Sequence, residues 1–551
     1  MLVRAACSPI KAQTHLRRAL ATASPSVTQD MMGTIAKTSD RPRLLLLGSG
    51  WAGTSMLKRL NKGIFDVYVV SPQNYFLFTP LLPEATTGTV EARSLLESMR
   101  RICDKRKAHY LEASALDIDV DQKQVLCQSA DGANFRMSYD LCVISVGATS
   151  NSFGVKGVIE NTHFLKTISD ARKIRHEIGA TLEAASLPDV SEQEKKKLLS
   201  FVIAGGGPTG VEFAAELSDF LVEDIRRLFP ELAPYVQITI VDLADHILNT
   251  MSARLSEYAE KRFKRQNIRV LTKTKVVEVK PNVLLYKPRD ADPEEPPQEL
   301  PFGVAVWATG IGMREFTQSL ARKLQQQKHA KSIIVDSRLR VVGGNSLYAM
   351  GDCATIENPA LLNVVTDYVH KKGQSTLTYQ EFDKIARDLV QEYPILELHL
   401  KKLYEMFDKY DHDKQGRLTD TRITEMLSEV DKKLTSFPAT AQVASQEGTY
   451  LARHLNKMAS TGISPSNVTE WKEKENTLPP FKYKHLGTFS YIGRQTSILD
   501  LGKNDQGLGG WAVFWLWRGA YLSRQVSLRT RALLALDWTK AFLFGRDVSR
   551  F

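Results

Sequence analysis

The stretch Arg43-Leu-Leu-Leu-Leu-Gly48-Ser49-Gly50-Trp51-Ala52-Gly53 decides the fold of this 551-residue chain. Its apolar run is typical of a buried parallel strand, and the GxGxxG glycines lead into a helix-compatible stretch that ends near Asn61. A second apolar run, Asp66–Val70, follows. The first glycine allows a tight turn, the second lets a pyrophosphate approach the backbone, and the third lets helix and strand pack closely. The stretch therefore predicts a βαβ dinucleotide-binding unit.

A second unit begins at Ser200-Phe-Val-Ile-Ala-Gly205-Gly-Gly207-Pro208-Thr209-Gly210. Its next strand, Gln237–Val241, ends at Asp242. An acid there accepts hydrogen bonds from both ribose hydroxyls of NADH and repels the 2′-phosphate of NADPH. The 37 residues from Gly205 to Asp242 exceed the usual ~20, so we expect a longer helix and a loop near residues 230–234.

Further strand ends contribute polar residues. In the first unit Ser71 stands where an acid usually holds the ribose, so its contact should be weaker. The runs Val304–Gly310 and Leu347–Ala354 read as buried strands that end in glycine and a polar residue. Asp352, in the second run, suits hydrogen bonding to the ribitol of a flavin.

Charge and cysteine content exclude several classes of protein. The net charge of +11 lies at the ends, because residues 1–43 carry seven Lys/Arg against two acids and residues 481–551 carry eleven against four. The nearly neutral middle argues against nucleic-acid binding.

The acid-free segment 1–29 predicts a mitochondrial presequence, with a disordered tail as the alternative.

Five scattered cysteines without CxxC exclude a disulfide scaffold, a zinc site and a redox-active cysteine pair. No apolar run reaches the ~18 residues that span a bilayer.

Several longer segments carry a resemblance to a known family. They are Ser71-Pro-Gln-Asn-Tyr-Phe-Leu-Phe-Thr79-Pro80-Leu-Leu-Pro83, Gly88-Thr-Val-Glu-Ala-Arg93-Ser, Tyr139-Asp-Leu with Val146-Gly147-Ala148, Gly205–Glu216 and Ala439-Thr-Ala441-Gln442-Val-Ala-Ser-Gln446-Glu-Gly. From about Arg43 to Phe544 the chain resembles the type II (alternative, non-proton-pumping) NADH:quinone oxidoreductases. The resemblance implies an α/β two-dinucleotide-binding-domain flavoprotein that passes a hydride from NADH to non-covalent FAD and then reduces ubiquinone.

The resemblance also implies which residues form the sites. The FAD contacts are Gly48, Ser49, Gly50, Trp51, Ala52, Gly53, Ser71, Thr79, Pro80, Gly147, Asp352, Ala441 and Gln442. The NADH contacts are Gly205, Gly207, Pro208, Thr209, Gly210, Glu212, Asp242, Thr309 and Gly310. The catalytic residues are Glu212, Gln442, Gln446 and Tyr491, and no metal is expected.

Each catalytic assignment has a structural alternative. We expect Ala441 and Gln442 to open a helix whose N-terminus faces the flavin's pyrimidine edge, and Gln446 shares a helical face with Gln442. The resemblance implies that the two glutamines help to form the quinone pocket, where an amide can hydrogen-bond a quinone carbonyl. The alternative is a pair of solvated helix glutamines. Tyr491 either lines the quinone pocket or belongs to the core. Glu212 either stabilises its own helix N-terminus or assists NADH binding and proton supply to the quinone.

The resemblance and the composition divide the chain as follows: presequence or disordered 1–42; FAD domain 43–165 plus 335–368; NADH domain 166–334; helical insertion 369–435; quinone-site and membrane-anchoring region 436–551. Within the insertion, Asp411–Leu418 resembles half of an EF-hand loop, but Arg422 takes the place of the bidentate glutamate. Calcium binding is therefore not expected, although it stays open.

The tail predicts a peripheral membrane contact. Residues 511–544 mix aromatic side chains with Arg and Lys, and Leu522, Val526, Leu533 and Leu536 recur at helical spacing. Dimer packing is the alternative for this tail, and a homodimer is expected. We predict a place on the mitochondrial inner membrane, on the intermembrane-space face.

Two other functions stay open: a related NAD(P)H oxidase or sulfide:quinone reductase, and a non-catalytic FAD- and NADH-binding sensor.

Overall fold

Two nucleotide-binding sheets form the centre of the computed structural model. The structure describes Ile35 and residues 39–327, 331–356, 376–392, 406–433, 437–502 and 507–548. The predicted presequence lies almost entirely outside the described residues, as do residues 369–375, 393–405 and 434–435 of the predicted insertion. The strands are β1 Arg43–Leu47, β2 Asp66–Ser71, β3 Tyr75–Leu77, β4 Leu96–Ser98, β5 His109–Asp119, β6 Gln124–Ser129, β7 Asn134–Ser138, β8 Leu141–Ile144, β9 Thr149–Ser150, β10 His163–Phe164, β11 Ser200–Ala204, β12 Gln237–Val241, β13 Ile268–Leu271, β14 Thr274–Lys280, β15 Val283–Pro288, β16 Gln298–Pro301, β17 Val304–Trp307, β18 Ile311–Gly312, β19 Ile333–Val335, β20 Leu347–Ala349, β21 Ala354–Ile356, β22 Thr376–Thr378, β23 Arg417–Thr419, β24 Thr488–Tyr491, β25 Ser497–Asp500 and β26 Gly507–Gly510.

The helices surround these sheets. They are α1 Trp51–Arg59, α2 Leu82–Thr87, α3 Met99–Arg106, α4 Val158–Asn161, α5 Ile168–Ala185, α6 Glu192–Leu198, α7 Pro208–Phe220, α8 Arg226–Leu228, α9 Ala253–Arg265, α10 Glu315–Lys323, α11 Tyr379–Glu392, α12 Asp420–Lys433, α13 Ala441–Ala459, α14 Val468–Asn476, α15 Trp511–Arg524 and α16 Leu528–Phe544. Among the described helices none is both long and apolar enough to cross a bilayer.

The first sheet has seven strands in the order β20-β8-β1-β2-β5-β6-β7. Its first five strands are parallel, and all five residues of β1 are buried, as a strand covered on both faces requires. The antiparallel β6 and β7 extend the long strand β5. The late strand β20 joins this sheet beside β8, so it brings Asp352 to the same edge as the first glycine loop. The predicted α/β fold is confirmed.

The second sheet is wholly parallel, in the order β10-β17-β11-β12-β13. Strand β10 pairs with β17, so His163–Phe164 belongs to this sheet although the predicted boundary placed it in the first unit. The long interval before Asp242 has the expected cause. Helix α7 continues through a π turn, Leu221–Ile225, and a 3-10 turn at Ala233–Tyr235 precedes β12.

The C-terminal third closes onto the first unit. Helix α13 packs against α1 so tightly that a Cβ on Gly448 would collide with the carbonyl oxygen of Ala52. Ser55 and Ser445 share a hydrogen bond of 2.9 Å, and Asn456 bonds the chain at Arg59. Both helices therefore start at the same end of the sheet. The three-stranded sheet β24-β25-β26 leads into α15 and α16.

Candidate functional site

The first glycine loop has the geometry that a pyrophosphate requires. Gly48 has a φ of 107°, and a Cβ there would overlap the backbone of Ser145. Gly53 packs against the carbonyl of Gly48, which closes the helix onto the strand. A Cβ on Gly50 would meet no described atom within 4 Å, so the space in front of the α1 N-terminus is open. The free N–H groups and the helix dipole there suit an anion.

Three elements meet at Gly351, beside the start of α1. Its φ is 75°, and a Cβ would lie 3.3 Å from the Ala52 methyl and 3.6 Å from the Ala444 methyl. The N–H of Gly351 donates to the buried carboxyl of Glu447 at 2.6 Å. Burial raises the pKa of Glu447 to about 8, while the Gly351 hydrogen bond opposes the rise. Small side chains from α1, the β20 end and α13 thus pack together at one point.

Other predicted FAD contacts lie on neighbouring elements. Asp352 is partly exposed and lies 3.7 Å from the Lys166 ammonium, a half-buried cation that the sequence did not single out. Burial lowers the pKa of Lys166, and Asp352 opposes that shift. Trp51 donates from Nε1 to Thr79 Oγ1 at 2.9 Å, in the turn that also holds Pro80. Gly147, with a φ of 66°, has open space around its Cβ position.

Ser71 faces the glycine loop as predicted. Its hydroxyl lies 2.9 Å from the Ser49 hydroxyl and accepts from the backbone N–H of Gln73 at 3.2 Å. Both serines are buried. Ser71 therefore ties the β2 end to the first loop, and its contact with a ribose would compete with these bonds.

The second glycine loop repeats the first. Gly205 has a φ of 119°, Gly210 packs on the Gly205 carbonyl, and Gly207 faces open space before the α7 N-terminus, where Pro208 and Thr209 start the helix. Asp242 lies beside this loop. Its carboxylate accepts from the N–H of Gly206 at 2.5 Å and from that of Ala244 at 2.6 Å. The acid therefore holds the loop onto β12.

The end of β17 completes the second site. The Thr309 hydroxyl is buried and has no hydrogen-bond partner within the described part of the chain, which an incoming polar ligand would correct. Gly310 has a φ of 55°, and the Phe153 ring lies directly over it. These two residues reach the edge of the sheet where nucleotides bind in doubly wound folds.

The two predicted glutamines of α13 hold a neighbouring segment. Gln442 accepts from Tyr483 Oη at 2.8 Å and from Leu486 N at 2.9 Å, and it donates to the Gly487 carbonyl at 3.1 Å. Gln446 makes two bonds to the backbone of Lys484, at 2.8 and 2.9 Å. The amides are thus bound to protein and do not have the solvated state that was the alternative. They fix residues 483–487 against the first turns of α13.

Glu212 and Tyr491 lie together, inside the protein. The Tyr491 N–H donates to Glu212 Oε1 at 3.3 Å, and burial raises the pKa of Glu212 to about 8. Tyr491 Oη donates to Asp219 at 2.5 Å, and its ring stacks on Trp517 at 5.5 Å. Tyr491 is therefore a buried ring against α15.

Glu212 belongs to a cluster of buried acids, which we call the acid cluster: Glu84, Glu212, Glu216 and Asp219. The three from α7 are spaced by four and three residues, so they share one helical face. Burial raises the pKa of Asp219 to about 7, and burial together with Glu84 raises the pKa of Glu216. Helical spacing within residues 208–220 could have revealed this cluster.

Comparisons with known proteins agree with this geometry. A family model described as Pyridine nucleotide-disulphide oxidoreductase matches residues 42–373, and one described as NDH2 C-terminal domain matches residues 485–547. External alternative NAD(P)H-ubiquinone oxidoreductase B3, mitochondrial, from Arabidopsis thaliana is 40% identical over 549 residues, covering 96% of this chain and 93% of that protein. The chain belongs to the type II NADH dehydrogenase family.

Two further relatives support the same assignment of this type II NADH dehydrogenase. External NADH-ubiquinone oxidoreductase 2, mitochondrial, from Saccharomyces cerevisiae is 33% identical and covers 92% of this chain and 82% of its own length. The structure of NDH2 from Plasmodium falciparum in complex with NADH superposes with a TM-score of 0.79 at 29% identity, covering 92% of this chain and all of that one. The resemblance seen in the sequence is confirmed.

The four described cysteines of this type II NADH dehydrogenase are free thiols. Cys103, Cys127, Cys142 and Cys353 are buried and free, and Cys7 lies outside the described residues. Burial raises the pKa of Cys353 to about 12, so its thiol is protonated at neutral pH. No cysteine pair in the described part of the chain is placed to relay electrons, in agreement with the sequence.

The insertion keeps part of an EF-hand framework. Strands β22 and β23 pair antiparallel through Leu377 and Leu418. Asp411 accepts from the N–H groups of Gln415 and Gly416, so it caps its own loop. Arg422 Nη1 lies 2.9 Å from Asp413 Oδ2. The positive charge of Arg422 therefore pairs with a carboxylate that a bound cation would need. Within the described residues no group of three or more metal-type side chains gathers.

Proposed function

We propose that this chain transfers a hydride from NADH to bound FAD and delivers the electrons to ubiquinone, without pumping protons. The meeting of α1, α13 and the β20 end at Gly351 carries the proposal, because it brings two helix N-termini and a row of small residues together at the end of the first parallel sheet. The relatives are named ubiquinone oxidoreductases, which supports the acceptor.

The residues present fit a flavin dinucleotide in the first unit. The open space at Gly50 and Gly147 leaves room for a ligand along the β-strand ends. Asp352 is placed to accept from ribitol hydroxyls, and the α13 N-terminus favours negative charge at the flavin's pyrimidine edge. When bound, FAD supplies the two-electron chemistry that accepts a hydride from NADH and reduces a quinone.

The second unit fits NADH by the same test. The α7 N-terminus and Gly207 face open space that suits a pyrophosphate, and the unpartnered Thr309 hydroxyl points to a missing polar ligand. Asp242 retains lone pairs for ribose hydroxyls beyond the two backbone bonds that it accepts.

We place the quinone-binding site beside residues 483–487 and the aromatic face of α15. Gln442 and Gln446 set the position of that segment, and Glu212, protonated at neutral pH by its raised pKa, is a proton reservoir next to Tyr491. Tyr521 lies 5.9 Å from Phe78, so the aromatic rings reach from α15 to the FAD unit. Gln442 and Gln446 therefore act as positioning residues that also border the quinone-binding site.

Helix α16 would hold the enzyme on a membrane. Its exposed positions 528, 532, 535, 536, 539 and 543 repeat at three- and four-residue spacing, and Leu528 is 81% exposed. Arg529 and Lys540 border this apolar stripe on one edge and Arg531 on the other, as in helices that lie in the headgroup region. The predicted stripe was partly wrong, because Leu522 and Val526 pack against the core.

Vesicle flotation tests the membrane contact. Replacing Leu536 and Leu543 by Asp should release the protein from vesicles, since charges on the exposed apolar stripe oppose its insertion into the membrane. The matched control replaces the exposed Ile159 and Leu187 on the body by Asp and should leave binding unchanged. Equal binding of both variants would place the anchor elsewhere.

Steady-state turnover tests the reaction itself. The FAD-loaded chain should oxidise NADH rapidly only when a water-soluble ubiquinone is present, and Glu212→Gln should slow turnover without loss of flavin. A non-catalytic sensor would show no quinone-dependent rate.

Mitochondrial import and the intermembrane-space face follow the names of the external relatives and stay predictions, as does the homodimer.

A further inference from the structure

A concave basic pocket lies away from both nucleotide loops, where the end of α1, helix α3 and the segment before α16 meet. It encloses about 380 Å³. We call it the basic pocket, and its lining residues are Lys58, Lys62, Glu97, Arg101, Ile102, Lys105, Arg106, Val526 and Ser527. Five of these nine side chains are cationic and one is acidic, so the pocket has a strong positive field.

The cations of the basic pocket outnumber its acid. In the described part of the chain none of the five is within ion-pair distance of a carboxylate; the one acid of the lining, Glu97, is buried and accepts from the Ser527 hydroxyl at 2.5 Å. Burial lowers the pKa of Lys58 and repulsion from neighbouring arginines lowers it further, while Glu97 opposes the shift. Five like charges around one cavity repel one another, and a bound anion would relieve that repulsion.

The start of α16 adds to this field. Ser527 caps the helix and accepts from Thr530 N at 3.2 Å, and the positive end of the helix dipole opens at the pocket wall. The next residue, Leu528, begins the exposed apolar stripe. A polar anion site and an apolar membrane-facing surface are thus adjacent in the chain.

We propose that the basic pocket binds the phosphate of an anionic phospholipid head group while the apolar stripe of α16 lies among the acyl chains. The proposal rests on the membrane contact in the proposed function. Lipid is favoured over a soluble anion because Leu528 continues the pocket rim into the apolar stripe, where only a molecule with a tail gains from both surfaces.

Flotation with vesicles of phosphatidylcholine, with and without phosphatidylglycerol, tests this site on the full FAD-loaded chain. Lys62→Gln together with Lys105→Gln should weaken binding to the anionic vesicles by about 25-fold, since each lysine near an anionic surface contributes about fivefold. The matched control pair, Lys472→Gln and Lys474→Gln, removes equal charge from the exposed face of α14 and should have little effect. Equal losses from both pairs would mean diffuse attraction and would overturn the proposal.

Glu97→Gln gives the opposite prediction in the same pocket. Removing the one negative charge of the lining should tighten binding to phosphatidylglycerol vesicles by about fivefold, while binding to neutral vesicles stays constant. Unchanged or weaker binding to the anionic vesicles would contradict the assignment. Flavin content and melting temperature check that each variant is folded.

Two outcomes separate this site from the reaction and from a soluble ligand. Loss of binding to all vesicles in the Leu536 and Leu543 variant, together with normal binding in the lysine pair, would support the membrane contact and refute the pocket. Stabilisation of the wild type by inorganic phosphate, with unaltered vesicle binding by the lysine pair, would assign the pocket to a soluble anion and refute the lipid. Turnover of the wild type with a water-soluble quinone tests the proposed function independently of vesicles.

Discussion

At the residue scale, we propose that Asp242 sets the choice between NADH and NADPH. Its carboxylate lies beside the second glycine loop, where a 2′-phosphate would meet a negative charge. Asp242→Asn should raise the ratio of kcat/KM for NADPH over NADH by about tenfold, which equals 1.4 kcal/mol of removed repulsion. An unchanged ratio would contradict the role proposed for Asp242. Asp245→Asn, at an exposed site paired with Arg289, is the matched control and should leave the ratio unaltered.

The acid cluster makes stability depend on pH. Burial raises the pKa of Glu212 to about 8 and of Asp219 to about 7, from ordinary values near 4.5 and 3.8. A carboxyl whose pKa is raised by folding stabilises the native state below its unfolded pKa and loses that effect as the pH rises through the folded value. The melting temperature should therefore fall between pH 5 and pH 8 by this mechanism.

Substitution isolates the contribution of one acid. Glu212→Gln should flatten the fall in melting temperature with rising pH, because the amide does not ionise. The exposed Glu299→Gln should leave the profile of the wild type intact. A Glu212→Gln profile as steep as that of the wild type would show that other groups cause the dependence.

At the element scale, helix α13 carries two amide side chains, which we call the clamps, and each makes two hydrogen bonds to a neighbouring segment. Gln446 makes two bonds to Lys484, and Asn456 makes two bonds to the end of α1, to Asn61 N at 2.9 Å and from Asn456 Nδ2 to the Arg59 carbonyl at 3.0 Å. Gln446→Ala and Asn456→Ala should each lower the free energy of unfolding by about 1–3 kcal/mol.

The two clamps should differ in kinetics. Gln446→Ala should raise the KM for quinone while NADH reduces the flavin at the normal rate, since only residues 483–487 are released. Asn456→Ala should change neither. Equal KM values for the two variants would return Gln446 to a purely structural role.

The elements themselves were largely predictable from the sequence. Two glycine loops with flanking apolar runs predicted both parallel sheets, because local spacing fixes strand, turn and helix. Strand β10 was not foreseen, since His163–Phe164 is too short for a periodic signal. The clamps were also missed, because the contacts of Gln446 with Lys484 and of Asn456 with the end of α1 are tertiary contacts that sequence spacing does not reveal.

At the scale of the whole molecule, the end of the chain seals the acid cluster. Arg546 donates to Asp224 at 2.9 Å, to Glu223 at 2.8 Å and to Thr89 Oγ1 at 2.8 Å, and Thr89 in turn donates to Glu216. The guanidinium is nearly buried, so removing it leaves uncompensated charge.

Arg546→Met should therefore lower the free energy of unfolding by about 3–5 kcal/mol in urea titration. Arg524→Met, at an exposed position of α15, is the control and should cost less than about 1 kcal/mol. Similar losses would show that the C-terminal segment 545–548 adds little to the cluster. The sequence did not predict this contact, because the arginine and its acids are far apart in the chain.

The two half-reactions, measured separately without oxygen and at several calcium concentrations, test the central claim most directly. NADH should bleach the flavin absorbance of the purified chain, and a water-soluble ubiquinone added afterwards should restore it within the turnover time. Neither rate should depend on calcium, because Arg422 pairs with Asp413 in the insertion. Bleaching by NADH without recovery by quinone would keep the fold and both nucleotide sites but contradict the acceptor and the roles given to Gln442 and Gln446.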